Sequence, residues 1–225
     1  MSTNSFFAKL LRFIGIVLMG LTGGFTLLGG IGTTCAALFP TKYASMAALA
    51  PFQWLYILFV LTGIVIGIMG VRATVMLIKG ADKSYRDTMV SLVAGVLIGF
   101  IHILVSRALR GKSMPVDAVV YTTIFTLAIF MLFKIPAIWQ GVDFTKAKRS
   151  ESKKAGGAAA ISMGLFTLTI QYTMGSTHTW GGVNYADAFN ASMTVIGIGL
   201  LLMGAGILIS LRYARGTVLK LQIQQ

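Results

Sequence analysis

Acidic residues are scarce in this chain: six Asp and Glu stand against 19 Lys and Arg in 225 residues. None of the six falls in the middle of a long apolar run, so the intramembrane carboxylates that proton-coupled pumps use are missing. Cysteine is scarcer still. A lone Cys35 cannot form an internal disulfide or a CxxC redox pair, and it reads as a small buried apolar residue. The two histidines, His102 and His178, belong to no HxxxH or HExxH spacing, so nothing in the pattern fixes two metal ligands on one face and no metal is expected. Walker and nucleophile-elbow motifs are absent too, and the chain is expected not to be an enzyme.

Charged residues of all kinds make up 11% of the chain and hydrophobic ones 56%, with a mean hydropathy of +0.83. A soluble domain carries about 25% charged residues. This balance places the chain among integral membrane proteins of a plasma or inner membrane. The net charge of +13 does not point to nucleic acid. Its basic residues sit at the ends of apolar runs, where membrane proteins use them for orientation and for contact with anionic headgroups, rather than in one patch.

A helical span needs about 20 mostly apolar residues. Six stretches qualify: 13–39, 52–78, 89–105, 118–139, 156–174 (the most polar of them) and 188–211. No connection is long enough for a second domain. The expected fold is a single all-α polytopic domain over residues 1–225, a bundle of six transmembrane helices. The first stretch follows Lys9 and Arg12 as a signal peptide would. Its length, and the poor lipobox Gly32-Thr33-Thr34-Cys35, make it a retained span.

Alternate connections differ sharply in charge. Four of the 19 Lys and Arg, namely Lys42, Arg107, Arg110 and Lys112, fall on one side, and the other fifteen fall on the side of the N-terminus. The positive-inside rule then puts both termini in the cytoplasm. Arg72 and Lys134 lie near cytoplasmic span ends, where long stems snorkel to water. The basic connection 143–154 is the strongest cytoplasmic signal and a candidate contact for anionic lipid.

Glycine is abundant, with 26 in the chain. Gly20 and Gly24, Gly63 and Gly67, Gly95 and Gly99, and Gly156, Ala160 and Gly164 recur every four residues and line small-residue helix faces. Such faces let helix backbones approach where lipid supplies no hydrophobic drive. Packing within the bundle is their expected use, with self-association as a second. Gly29, Gly30, Gly32, Thr33 and Thr34 cluster late in the first span, where the helix is expected to loosen or to border a cavity.

The connection 106–117 is basic on the side that should be poor in Lys and Arg. Arg107, Arg110 and Lys112 are expected either to pair with Asp117, Asp187 and outer-leaflet phosphates, or to offer a docking point, with His102, for an anionic ligand or acidic partner, the i,i+3 spacing of Arg107 and Arg110 putting both on one face if the helix continues past the membrane surface. Gly111 is expected to end the helix and Pro115 to begin the next. His102 is the one histidine inside a membrane-length run. It reads first as a hydrogen-bonded helix contact and second as an axial ligand for haem or a pigment. No cofactor can be named from the sequence.

The leading expectation is a non-catalytic membrane protein that works by helix packing, an accessory or assembly subunit of a larger membrane complex. Its partners would be the bilayer, anionic lipids on the cytoplasmic face, and other membrane subunits or its own copies. The alternatives are a carrier or channel for a small, perhaps anionic, solute and a haem or pigment protein using His102.

Overall fold

The structure is a computed structural model; it describes residues 2–223 apart from 43, 174, 176–178, 181, 185, 186, 188 and 189. The described chain is mostly helical, with one two-stranded hairpin of two residues a strand. In order, the helices are α1 (Phe6–Gly32), α2 (Thr34–Leu38), α3 (Gln53–Lys79), α4 (Ser84–Arg110), α5 (Val116–Phe133), α6 (Pro136–Val142), α7 (Arg149–Leu168), α8 (Ile170–Thr173) and α9 (Asn190–Ile223). Short 3₁₀ turns cover Pro40–Lys42, Ala44–Phe52 and Phe144–Lys146. The hairpin pairs Thr179 with Asn184 and Trp180 with Val183, antiparallel.

Local chemistry sets the helix ends. Ser5 caps α1, its Oγ accepting the Ala8 N–H at 3.2 Å. Gly80 and Gly111 close α3 and α4 at φ +67° and +70°, the left-handed geometry that glycine adopts without a Cβ penalty. α5 begins just after Pro115. Ile135, extended at ψ 124°, precedes Pro136, which opens α6. The stretch 118–139, expected as one span, is therefore broken before Pro136, because a residue preceding proline is pushed out of the helical region.

Five helical segments among the described residues are long and apolar enough to cross a membrane: Phe6–Leu38, Met46–Lys79, Ser84–Arg110, Val116–Phe133 and Asn190–Ala214. The stretch 156–174 is not among them. Its helix, α7, starts earlier, on Arg149, Glu151, Lys153 and Lys154, and stops at Leu168, which leaves a short apolar remainder. α7 is nonetheless part of the bundle, packed on α1 and α9 with Ala155, Ala159, Ala160 and Met163 buried. The break expected at residues 29–34 is slight. Only Thr33 leaves the helix, and it keeps αR geometry with its N–H and its hydroxyl both on the Gly29 carbonyl, at 3.0 and 2.8 Å.

Two antiparallel helix pairs rest on glycines seven residues apart. Between α1 and α3, a Cβ on Gly23 would lie 2.8 Å from the Gly70 carbonyl carbon, and one on Gly30 would lie 3.0 Å from the Ile64 nitrogen. A Cβ on Gly67 would lie 2.5 Å from the Leu27 Cα. Between α7 and α9, a Cβ on Gly164 would reach within 2.8 Å of the Gly197 oxygen, and one on Gly204 within 2.6 Å of the Gly157 oxygen. Backbones this close gain dispersion over their whole contact, the main attraction available between helices in lipid.

The remaining small faces are also occupied. Gly20 and Gly24 lie on α7 at Ala159 and Met163, and Gly95 and Gly99 lie on α5 at Thr123 and Val120. Gly63 faces Gly30, and Gly156 faces Ile78. One apolar cluster (Ile16, Met19, Leu77, Phe130, Phe133, Phe144) fills the end near the N-terminus. A second (Ala37, Leu49, Tyr56, Phe59, Val60) fills the other end.

Candidate functional site

The polar residues singled out by sequence gather at the end of the bundle where α4 stops and α3 starts. His102, Ser106 and Arg110 lie four residues apart, along one face of α4. That face meets Tyr56 and Phe59 on α3. His102 is buried, its ring stacked on Phe59 (centroids 4.3 Å apart, planes at 15°) and edge-on to Tyr56 (5.4 Å, 80°). The expected hydrogen bond to a neighbouring helix is replaced by aromatic packing. One turn on, the Tyr56 and Ser106 hydroxyls share a 2.7 Å hydrogen bond.

Arg107 and Arg110 part company at this end. Arg107 turns toward α5, where Nη2 donates to Asp117 Oδ1 at 2.8 Å and Nε donates to Ser113 Oγ at 3.0 Å. Ser113 in turn donates to Asp117 Oδ2 at 2.7 Å, so both carboxylate oxygens are used. Asp117 is buried and Arg107 is half exposed, so this clamp ties the start of α5 to the end of α4. Arg110 turns the other way, onto Met46 in the Ala44–Phe52 turn. The single two-arginine face expected from their spacing is therefore divided between two neighbours. Lys112 is exposed and its carbonyl oxygen accepts from Arg110. Gln53 donates to the Leu38 carbonyl oxygen at 3.2 Å. His178 and Tyr185 lie outside the described residues, as do the side chains of Cys35, Gln171 and Trp180. Asp187 is exposed.

Gly29, Gly30, Gly32, Thr33 and Thr34 do not come together around a space. Gly29 faces Val119, Gly30 packs on the Gly63–Ile64 backbone, and Gly32 has nothing within 4 Å of a Cβ. Among the described residues no three of His, Cys, Asp and Glu cluster in a way that could hold a metal.

A second polar site, at the opposite end, was not visible in the sequence. Arg12 is 4% exposed, although it reads as an ordinary flanking charge. Its Nη1 donates to the Gly141 carbonyl at 2.6 Å and its Nη2 to the Thr3 carbonyl at 2.9 Å. Glu151 on α7 stands 3.6 Å from it and 3.2 Å from Lys9. The contacts with Gly141 and Glu151 join residues far apart in sequence, which local pattern cannot reveal. Nearby, Lys134 sits over the rings of Tyr85 (4.8 Å) and Trp139 (4.3 Å), a cation–π seat in place of free snorkelling.

Compared with known proteins, the chain matches no protein-family model, no curated protein and no solved structure.

Proposed function

We propose that this chain is a non-catalytic membrane protein that works by helix packing, a subunit that assembles through α9 with other membrane chains or with its own copies. The observation that carries this is the contrast between the two sides of α9. On one side Gly197 and Gly204 press on α7 backbone. On the other, Gly199 and Gly206 repeat the seven-residue spacing and meet nothing within 4 Å. Val195 and Leu202 beside them are 73% and 68% exposed. Only 11% of the apolar window of α9 is buried, against 28–33% in the other four crossing helices. Lipid can cover such a surface, but a free small-residue stripe is also what lets a second backbone approach.

In this proposal α7 crosses the membrane with the other five long helices, shielded by α1 and α9. Both termini lie in the cytoplasm, following the Lys and Arg asymmetry, and anionic lipid headgroups there meet the basic connection 143–154. Copies inserted with one topology are parallel, so a homodimer would pair α9 with α9 in parallel about an axis along the membrane normal. In residues 29–34, the proposed loosened segment, Gly29 and Gly30 meet neighbouring helices and Thr33 keeps its helical hydrogen bonds. The test is the mass of the assembly in native lipid, with and without the Gly199–Gly206 face.

A further inference from the structure

Arg110 is a cation without its anion. Its Nη1 lies 2.7 Å from the thioether sulfur of Met46, a weak acceptor, and its Nη2 lies 3.3 Å from the Lys112 carbonyl oxygen. Its Nε is buried and has no acceptor. No carboxylate among the described residues pairs with it. Its neighbour Arg107 shows the contrast, holding Asp117 at 2.8 Å. Asp117 is engaged with Arg107 and, through its second oxygen, with Ser113, and does not pair with Arg110. Lys112 and Lys42 add positive charge at the same end of the bundle and are exposed. A partly desolvated guanidinium is costly unless an anion compensates it, so this site is incomplete as it stands.

Its depth says where the anion would come from. α4 has 27 residues, a length of about 40 Å at 1.5 Å per residue. The hydrocarbon core it crosses is about 30 Å thick. The last turn of α4, with Arg110, therefore reaches the layer where lipid phosphates lie. A guanidinium fork matches two phosphate oxygens, and a nearby ammonium adds charge without geometric demand.

We propose that Arg110, helped by Lys112, binds a phosphate-type oxyanion, carried by a membrane phospholipid or free in solution. Its oxygens replace the Met46 sulfur and the Lys112 carbonyl as acceptors for Nη1 and Nη2. This site is separate from the α9 face and does not depend on assembly.

The test uses the full chain in an uncharged detergent, with its melting temperature followed during titration. Three probes are added separately: short-chain phosphatidylglycerol, inorganic phosphate, and an uncharged phosphate-free glycolipid. The wild-type chain should show a saturable rise with phosphatidylglycerol and none with the glycolipid. A rise with phosphatidylglycerol alone identifies a lipid ligand, and an equal rise with inorganic phosphate identifies a free anion. Arg110→Gln should weaken the midpoint about tenfold or more, the loss of one or two charge-assisted hydrogen bonds. Arg110→Lys should fall between, keeping the charge and losing the fork. The proposal is overturned if neither anion shifts the melt, if the glycolipid shifts it equally, or if Arg110→Gln titrates like wild type. Should Arg110→Gln fail to fold, a wild-type midpoint in Arg110→Lys overturns it instead.

Discussion

Gly23 on α1 and Gly70 on α3 meet backbone to backbone: a Cβ on either would lie 2.8 Å from the main chain of the other. Backbone cannot yield as the tip of a side chain can. Gly23→Ala should therefore destabilise the bundle by about 1–3 kcal/mol, the cost of overpacking a close contact. Gly199→Ala, where the space is open, should leave single-chain stability within about 0.5 kcal/mol. Unfolding curves in a mild detergent give both values. Equal effects from the two substitutions would show that the α1–α3 contact is not as close as described.

Arg12 joins three pieces of chain: its own helix, the end of α6 through Gly141, and α7 through Glu151. Arg12→Gln removes the charge and leaves buried acceptors unpaired, and should cost about 3 kcal/mol. Arg12→Lys cannot reach both carbonyls from one ammonium and should recover only part of that. Glu151→Gln should cost less than Arg12→Gln, because Glu151 is the more exposed partner. The same unfolding assay ranks the three.

How much of this was legible beforehand depended on range. Helix existence, the membrane class and the glycine stop at Gly111 follow from composition and local backbone chemistry. Pro136 was a local signal too, and 118–139 shows the error of letting an apolar run outweigh it. α7 was legible only in its doubtful half. Its charged first turns and its burial between α1 and α9 pull in opposite directions, and hydropathy sees only the first. The Arg107–Asp117 pair lay within reach of a short loop. The Gly141 and Glu151 partners of Arg12, the Met46 contact of Arg110 and the Tyr56–Ser106 bond were not legible, because they join positions tens of residues apart and depend on register between helices. The glycine faces were found at a spacing of four, while the α1–α3 and α7–α9 contacts use a spacing of seven. Gly23, Gly70, Gly157, Gly197 and Gly204 were therefore overlooked.

Asp143 gives the chain an acid-sensitive joint. Partial burial alone would raise its pKa. The Thr145 hydroxyl and N–H, with the Lys146 ammonium, outweigh that and hold the carboxyl below the ordinary aspartate value. A group depressed on folding contributes its stability in full above its unfolded pKa, and loses it as pH falls through the folded one. The Phe144–Lys146 turn should thus weaken only in acid. Asp143→Asn, which mimics the protonated acid, should match wild type in acid and sit slightly below it at neutral pH, by less than about 1 kcal/mol, so that this part of the melting-temperature profile flattens. A profile that keeps its acid slope in Asp143→Asn assigns the slope to another carboxylate.

His102 is held by rings and by no hydrogen bond among the described residues. Replacing it with Phe preserves the stack on Phe59, and His102→Phe should remain within about 1 kcal/mol of wild type. A colourless wild-type protein and a stable variant fit a packing role. A visible absorption band in the wild-type protein that vanishes in the variant would make the imidazole a ligand.

The assembly proposed for α9 is tested most directly by the mass of the protein–lipid particle extracted into native-lipid discs, measured for the wild-type chain and for the Gly199→Phe/Gly206→Phe double variant. The free glycine face predicts a wild-type particle heavier than one chain with its lipid, and a variant that falls to one chain while keeping its helical, cooperatively melting fold. A wild-type protein that is monomeric and without a partner chain in native lipid would contradict it, as would a double variant with unchanged mass.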